Sequence, residues 1–372
     1  MSSIDPPKAG PSSIECTDAA IYQGPYSASS VVVRVFSKDD RNSYLLIVQV
    51  DPPRVKTIYQ SDHKADKILA LQFEPNGRLL ALALQSHTLG KFELQILSTM
   101  GEKIKGIPLS FRRPLPGEST EVSDTASVLA VAEDGSRIAV SRGRQVVLIR
   151  QESFERFTQD MSIDNPARVT AMCFSPLGDQ LFIGGSDGSV IAYGIQNSRL
   201  TSFYTLRQIS RHAPSPPVVE LMYSRNGNGN SIVAVIQSSP LANPPNSRLC
   251  IWTDFNPDCY EKELENTHAS DSGAVAEMKC AALWSPAPPR ASTPSSDVFL
   301  NGGFMVCGDT SGGRIHFVSH DGKELIDTAF ALKDTKAAGS IRKLFLSDPS
   351  MQDPELRILY RNGRIDSRRI LS

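Results

Sequence analysis

Residues Phe174 to Ile195 read FSPLGDQLFIGGSDGSVIAYGI. A Ser-Pro-x-Gly turn opens the stretch, and an apolar run follows. An Asp-Gly turn interrupts, and a second apolar run closes it. Asp-Gly between two such runs is a hairpin signal, because both residues tolerate the positive φ of a tight turn. The fold depends on whether this is a lone Gly-rich functional loop or one copy of a repeating unit.

Its neighbours answer the question. From Ile68 the chain reads ILALQFEPNGRLLALALQSHTLGKFELQIL, and from Val128 VLAVAEDGSRIAVSRGRQVVLIR. The quoted stretch begins within VTAMCFSPLGDQLFIGGSDGSVIAYGI, from Val169. From Val218 follows VVELMYSRNGNGNSIVAVIQSSPLANPPNSRLCIWTD. The next unit begins MKCAALWSP at Met278 and resumes as FMVCGDTSGGRIHFVS, and the last is IRKLFLSDPSMQDPELRILYRNGRIDSRRIL, from Ile341. Ahead of Ile68, VVVRVF, YLLIVQVD and VKTIYQ read as the later strands of a first unit.

Each unit has the order strand, polar turn, strand, Gly/Ser/Asn-rich turn, strand, often with a fourth strand beyond. The runs are short, apolar and rich in β-branched residues, which is the strand signal. Asn76-Gly77, Asp134-Gly135, Asp187-Gly188 and Asn362-Gly363 supply the hairpin turns. Starts fall about 40 to 60 residues apart, the spacing of propeller blades lengthened by insertions. The expectation is an all-β chain forming a seven-bladed β-propeller, with six or eight blades as alternatives. Three Pro-rich stretches, HAPSPP from His212, PLANPP from Pro240 and SPAPPRASTPSS from Ser285, read as loops, because proline has no amide for a strand ladder.

Residues 1–17 are Pro/Ser-rich and are expected to form a flexible tail, with 18–372 as a single domain. A division into two domains near residue 213 is the alternative. The last unit ends after only three strands, and an open sheet edge is a liability. A segment near 13–18 is therefore expected to supply the missing outer strand.

The chain has 372 residues, 40% of them hydrophobic, enough for a substantial core. Its 25 Pro and 25 Gly suit short strands separated by turns. The formal net charge of -1 gives no global pull toward nucleic acid or anionic membrane. Cys16, Cys173, Cys250, Cys259, Cys280 and Cys307 show no C-x-x-C spacing, which points to free thiols and a reducing compartment. The N-terminus lacks the apolar core of a secretory signal, and no run reaches the roughly 18 apolar residues of a membrane span. The expected location is intracellular, cytoplasmic or nuclear.

The units resemble the WD-repeat β-propeller family. The residues that carry the likeness are Phe174-Ser175-Pro176 with Gly178, then Gly184-Gly185-Ser186-Asp187-Gly188-Ser189. Ile251-Trp252-Thr253-Asp254 stands where the family's Trp-Asp pair ends the third strand, and Cys307-Gly308-Asp309-Thr310-Ser311-Gly312-Gly313 repeats the turn. No unit combines the family's Gly-His start with its Trp-Asp end, and one carries Tyr193-Gly194 instead. In the family those residues form a buried hydrogen-bond network within each blade. The resemblance implies that here the network is absent or incomplete, and that apolar packing carries the stability.

Several motifs reduce to structure. GDTSGG at Gly308 resembles a serine-protease nucleophile surround, but no His base or Asp orienter sits in a matching setting, and it aligns with GGSDGS at Gly184. GGSDGS precedes a strand rather than the helix that a phosphate cradle needs. His316 and His320 lie in a strand and its following turn, where they cannot share a helical face as metal ligands. Asp39-Asp40, Glu133-Asp134 and Asp187 read as solvated turn residues. No catalytic, metal or cofactor site is expected.

The turns between second and third strands carry Lys91, Arg142, Arg144, Arg248, Arg314, Arg361 and Arg364, against Asp187 and Asp309. By family analogy these turns share one face with the loops between blades, and that face is net basic. Clustered Arg can clamp carboxylates or phosphates. The function expected is a non-catalytic protein–protein interaction scaffold, a subunit or adaptor of a complex. An enzyme or small-ligand binder using the central channel is one alternative. Nucleic-acid or phospho-ligand binding through the basic face is the other, with nucleic acid disfavoured by the overall charge.

Overall fold

The computed structural model describes residues 3–4, 15–23, 30–39, 42–50, 53–60, 67–74, 79–85, 91–98, 101–111, 128–153, 155–196, 199–206, 216–226, 229–236, 247–253, 259–264, 278–284, 304–309, 315–319, 324–326, 341–346, 355–360 and 364–369. These residues are all-β, in antiparallel sheets of four strands.

β1 is Ser3–Ile4. β2 to β5 (Glu15–Gln23, Ser30–Asp39, Asn42–Val50, Pro53–Gln60) make one sheet in sequence order. β6 to β9 (Lys67–Phe73, Leu79–Gln85, Phe92–Ser98, Lys103–Leu109) make the next. β10 to β13 follow at Leu129–Val131, Arg137–Arg142, Gln145–Ser153 and Arg156–Asp164. β14 to β17 are Val169–Phe174, Gln180–Gly185, Val190–Gln196 and Arg199–Leu206. β18 to β21 are Val218–Asn226, Gly229–Ile236, Ser247–Thr253 and Cys259–Leu264. β22 to β25 are Met278–Trp284, Phe304–Asp309, Ile315–Ser319 and Glu324–Ile326. β26, β27 and β28 (Ile341–Leu346, Glu355–Tyr360, Ile365–Arg369) form a sheet completed by β1.

That last pairing corrects one expectation. The strand beside β28 is Ser3–Ile4, with Ser3 opposite Asp366 and Ile4 opposite Ile365. The segment near 13–18 instead enters β2, where Glu15 faces Ser37 and Asp18 faces Val35. β2 lies directly before β3 and pairs with it from Glu15 to Gln23.

By compactness the chain divides into two units. One comprises Pro7–Ser186 and Ile191–Tyr204, and the other Met1–Pro6, Asp187–Val190 and Thr205–Ser372. In the first unit, neighbouring sheets pack face to face. Leu94, Ile96 and Phe92 of one sheet meet Val140, Val147 and Ile149 of the next. The opposite face of that second sheet, through Ala139, Val146 and Leu148, meets Leu181, Ile183 and Ile191. Leu45 packs with Leu80 and Leu97 on the other side. Each such aliphatic side chain contributes about 1.5–3 kcal/mol on full burial.

This packing explains the sequence pattern. β11 (RIAVSR) is buried at its four central residues and β12 (QVVLIRQES) from Val146 to Ile149, because a sheet covers each face. Strands covered on both sides read as continuous apolar runs. The fourth strands β9 and β13 instead alternate between buried and exposed residues. First strands of successive sheets also touch one another, β2 with β6, β6 with β10, and β10 with β14. In the second unit β18 touches β22 and β22 touches β26.

One irregularity recurs. In the first strand of most sheets an extra residue interrupts the pairing with the second strand. The shifts fall between Cys16 and Asp18, Ile68 and Ala70, Val169 and Ala171, Val218 and Glu220, Cys280 and Ala282, and Ile341 and Lys343. Such bulges bend a strand and increase its local twist. Among the described residues, no helix is long and apolar enough to cross a membrane.

Candidate functional site

In a four-stranded antiparallel sheet, the turn between second and third strands and the link to the next sheet lie at one end. The other two turns lie at the opposite end. Among the described residues, charge is divided between these ends in the sheets β6–β9, β10–β13 and β14–β17.

The first end is built around the β11–β12 hairpin. Its turn is Gly143-Arg144, with Gly143 at φ 59°, a left-handed conformation that glycine adopts without strain. Before the turn, Arg142 lays its guanidinium over the Phe92 ring, 4.1 Å from the centroid. That cation–π contact fixes the arginine beside Lys91, which is exposed immediately ahead of β8. Phe92 itself is nearly buried and meets Phe111 edge to face, with centroids 5.6 Å apart.

Arg144 is exposed, but its Nε donates to the Asn165 carbonyl at 3.0 Å, and the Asn165 amide donates to the Arg144 carbonyl at 2.9 Å. Asn165 is fully buried in the link between β13 and β14. Its side-chain Nδ2 donates to the Ala167 carbonyl at 2.8 Å, and its Oδ1 accepts from the Tyr193 hydroxyl at 3.1 Å. Burial pushes the Tyr193 phenol above its ordinary value, by desolvation of the phenolate. The Val169 amide donates to the Gly143 carbonyl at 2.8 Å, which draws Arg168 in beside the hairpin.

The structure therefore brings Lys91, Arg142 and Arg144 to one end of this unit, together with Arg168, which the sequence reading did not include. Asp164 is the carboxylate at the end of β13. Asp187 caps its own turn, accepting from the Ser189 amide at 3.0 Å and the Ser189 hydroxyl at 2.6 Å.

The remaining candidates belong to the second unit or fall outside the described residues. Arg248 is the second residue of β20 rather than part of a turn, and in register it faces Ile236 on one side and Glu263 on the other. Arg364 precedes β28 and pairs with Asp366 at 2.8 Å, a contact that ties it to its own strand. Arg314 and Arg361 lie outside the described residues, as does His320. His316 sits within β24, opposite Cys307.

Among the described residues of these three sheets, the opposite end carries more carboxylates than cations. Its turns and the strand starts beside them carry Glu74, Glu102, Glu133, Asp134, Glu155 and Asp179, against Lys103, Arg137, Arg156 and Arg199. Neighbouring turns are close: a Cβ on Gly178 would lie 3.1 Å from the Ala132 side chain and 3.4 Å from Asp134 Oδ1. Asp134 caps its turn by accepting from the Ser136 amide at 2.9 Å, and Asp179 accepts from the Ser175 hydroxyl at 2.6 Å. Among the described residues, no group of three or more His, Cys, Asp or Glu side chains is arranged to hold a metal ion.

The sequence alone gave no sign of Asn165 or Arg168 at this end, and it gave Tyr193 no part in it. Tyr193 was visible as a polar-tipped aromatic within the apolar run of β16. Its partner, 28 positions away in the link between sheets, had no local signal. A scan of protein-family models and a search of curated proteins found no match to this chain.

Proposed function

We propose that this chain is a seven-bladed β-propeller, diverged from the WD-repeat pattern, and that it serves as a non-catalytic protein-interaction scaffold. It would be a subunit or adaptor of a larger complex, in the cytoplasm or nucleus, where thiols such as those of Cys173 and Cys250 stay reduced. The observation that carries this reading is the recurrence of one device: a four-stranded sheet whose first strand bulges against the second and touches the first strand of its neighbour. Radial repetition of such sheets gives a rigid frame, and loops on a rigid frame are where binding sites concentrate. The turns differ between copies while the strands hold to one pattern, so recognition resides in the turns.

The test is affinity capture from the native cell, with partners identified by mass spectrometry. A second bait has the β11–β12 and β15–β16 turns replaced by Asn-Gly. The scaffold reading expects a defined set of partners whose recovery depends on the turns. Equal recovery by both baits, or none by either, overturns it.

A further inference from the structure

We propose that the end of the first unit carrying Lys91, Arg142 and Arg144 is a docking surface for a carboxylate-rich, extended peptide segment of a partner protein. This inference rests on the scaffold reading and names the chemistry of the partner.

Three observations carry it. First, among the described residues of the sheets β6–β9, β10–β13 and β14–β17 the charge is sorted: Lys91, Arg142, Arg144 and Arg168 lie at this end against Asp164 and Asp187, and the turns at the opposite end carry most of the carboxylates. An acidic segment is drawn to one end of the unit and repelled from the other, which orients it. Second, the cationic groups are held in place before any partner arrives. Arg142 is held on the Phe92 ring, and Arg144 is held by the Asn165 carbonyl, itself fixed through Tyr193 and Ala167. Ordering long side chains is a main cost of binding, and here it falls on folding instead. Third, Arg142 and Arg144 flank a single residue, Gly143, whose missing side chain leaves open space: a Cβ there would meet nothing within 4 Å. A peptide backbone can approach the hairpin closely at that point, as carboxylates meet the guanidinium groups on either side.

A nucleic acid is the weaker fit. The site offers no helix N-terminus, and a chain of net charge -1, with more carboxylates than cations among the described residues of the opposite end, does not attract a long polyanion.

The experiment uses the full chain and a fluorescein-labelled peptide rich in Glu and Asp, followed by fluorescence anisotropy. Its parallel arms are a Lys-rich peptide of equal length, single-stranded oligo-dT and inorganic phosphate as competitor. The expected result is saturable binding of the acidic peptide alone, weakened by added salt. Lys91→Glu with Arg144→Glu is expected to lower affinity by about tenfold or more, equivalent to about 1.4 kcal/mol. Lys91→Glu alone, at an exposed position, is expected to lower it severalfold and guards against misfolding of the double variant. Lys103→Glu, at the opposite end, is expected to leave it unchanged. Absence of saturable binding, wild-type affinity in Lys91→Glu, equal loss in Lys103→Glu, or oligo-dT binding as tightly as the peptide would each overturn the proposal. If the peptide fails while turn-dependent partners are still captured, the docking inference falls and the scaffold reading stands. Loss of partner capture altogether removes both.

Discussion

The Tyr193 hydroxyl donates to the Asn165 side-chain oxygen across 3.1 Å, inside the protein, and so ties the third strand of one sheet to the link that enters that sheet. Asn165 spends its other polar groups on Ala167 and Arg144, which makes it the hub of the link. Tyr193→Phe leaves Asn165 Oδ1 buried without its donor, at a cost of about 1–3 kcal/mol. Asn165→Ala removes several bonds and is expected to cost more. In urea unfolding, the double variant should lose less than the sum of the two single losses, because the shared bond can be lost only once. Strict additivity would mean that the bond contributes nothing.

The same tyrosine sets a pH limit. Its phenol titrates above 10.0 in the folded chain, because burial penalises the phenolate. A group whose folded pKa is raised keeps its stabilising contribution below the unfolded pKa and loses it as pH rises toward the folded value. Stability should therefore fall as pH passes upward through about 10, where the unfolded tyrosine ionises and the folded one does not. Melting temperatures from pH 8 to 11 should fall less steeply for Tyr193→Phe than for wild type. Parallel curves would dissociate Tyr193 from the alkaline loss.

Much of the architecture was legible because burial on both faces writes a strand as an unbroken apolar run. Ile138 to Val140 and Val146 to Ile149 could be read in this way. The bulges at Leu69, Thr170 and Val219 could not, since one extra residue in a continuous apolar run changes no periodicity. The strand at Ser3–Ile4 was missed for a related reason: two residues are too short to show a pattern. The basic turn at Arg142 to Arg144 was legible from hairpin spacing. Its supports were not: Phe92 reads as core, Asn165 as a loop residue, and only three-dimensional proximity joins them to the arginines.

Trp252 lies near the end of β20. It is fully buried, and its indole N–H lacks a hydrogen-bond partner among the described residues. An orphaned buried donor is itself destabilising by about 1–3 kcal/mol. Trp252→Phe removes that donor and part of the ring, so the two effects offset, and the net loss should stay below about 1.5 kcal/mol. Trp252→Ala has no such compensation and should cost about 3–5 kcal/mol. Thermal denaturation of the two variants tests the contrast. A loss in the phenylalanine variant as large as in the alanine variant would show that the indole N–H is satisfied.

Two turn glycines should respond differently to substitution. Gly135 and Gly143 both have positive φ, at 72° and 59°. A side chain at Gly135 runs into the Glu74 carboxylate from the neighbouring sheet, whereas one at Gly143 meets open space. Gly143→Ala should cost about 1–2 kcal/mol for the left-handed backbone alone. Gly143→Asn should cost less, since asparagine visits that region more readily. Gly135→Ala adds displacement of Glu74 and should be the most damaging. Melting temperatures that rank the three otherwise would contradict the packing of the two turns.

The outermost pairing of the last sheet offers a test of how the second unit is held together. β28 has β27 on one side and the two residues of β1 on the other, with Ile4 opposite Ile365, which is itself buried. Deleting residues 1–6 leaves the outer edge of β28 without its partner, and an exposed edge is a template for association with another chain. The deletion should lower the melting temperature by a few degrees and raise light scattering on heating. Deleting only residues 1–2, which spares the pairing, should do neither. Substituting Pro for Ile4 should reproduce part of the effect, because it restricts the backbone of the strand and removes its amide donor. If the longer deletion melts and scatters as wild type does, β1 contributes nothing measurable to the sheet.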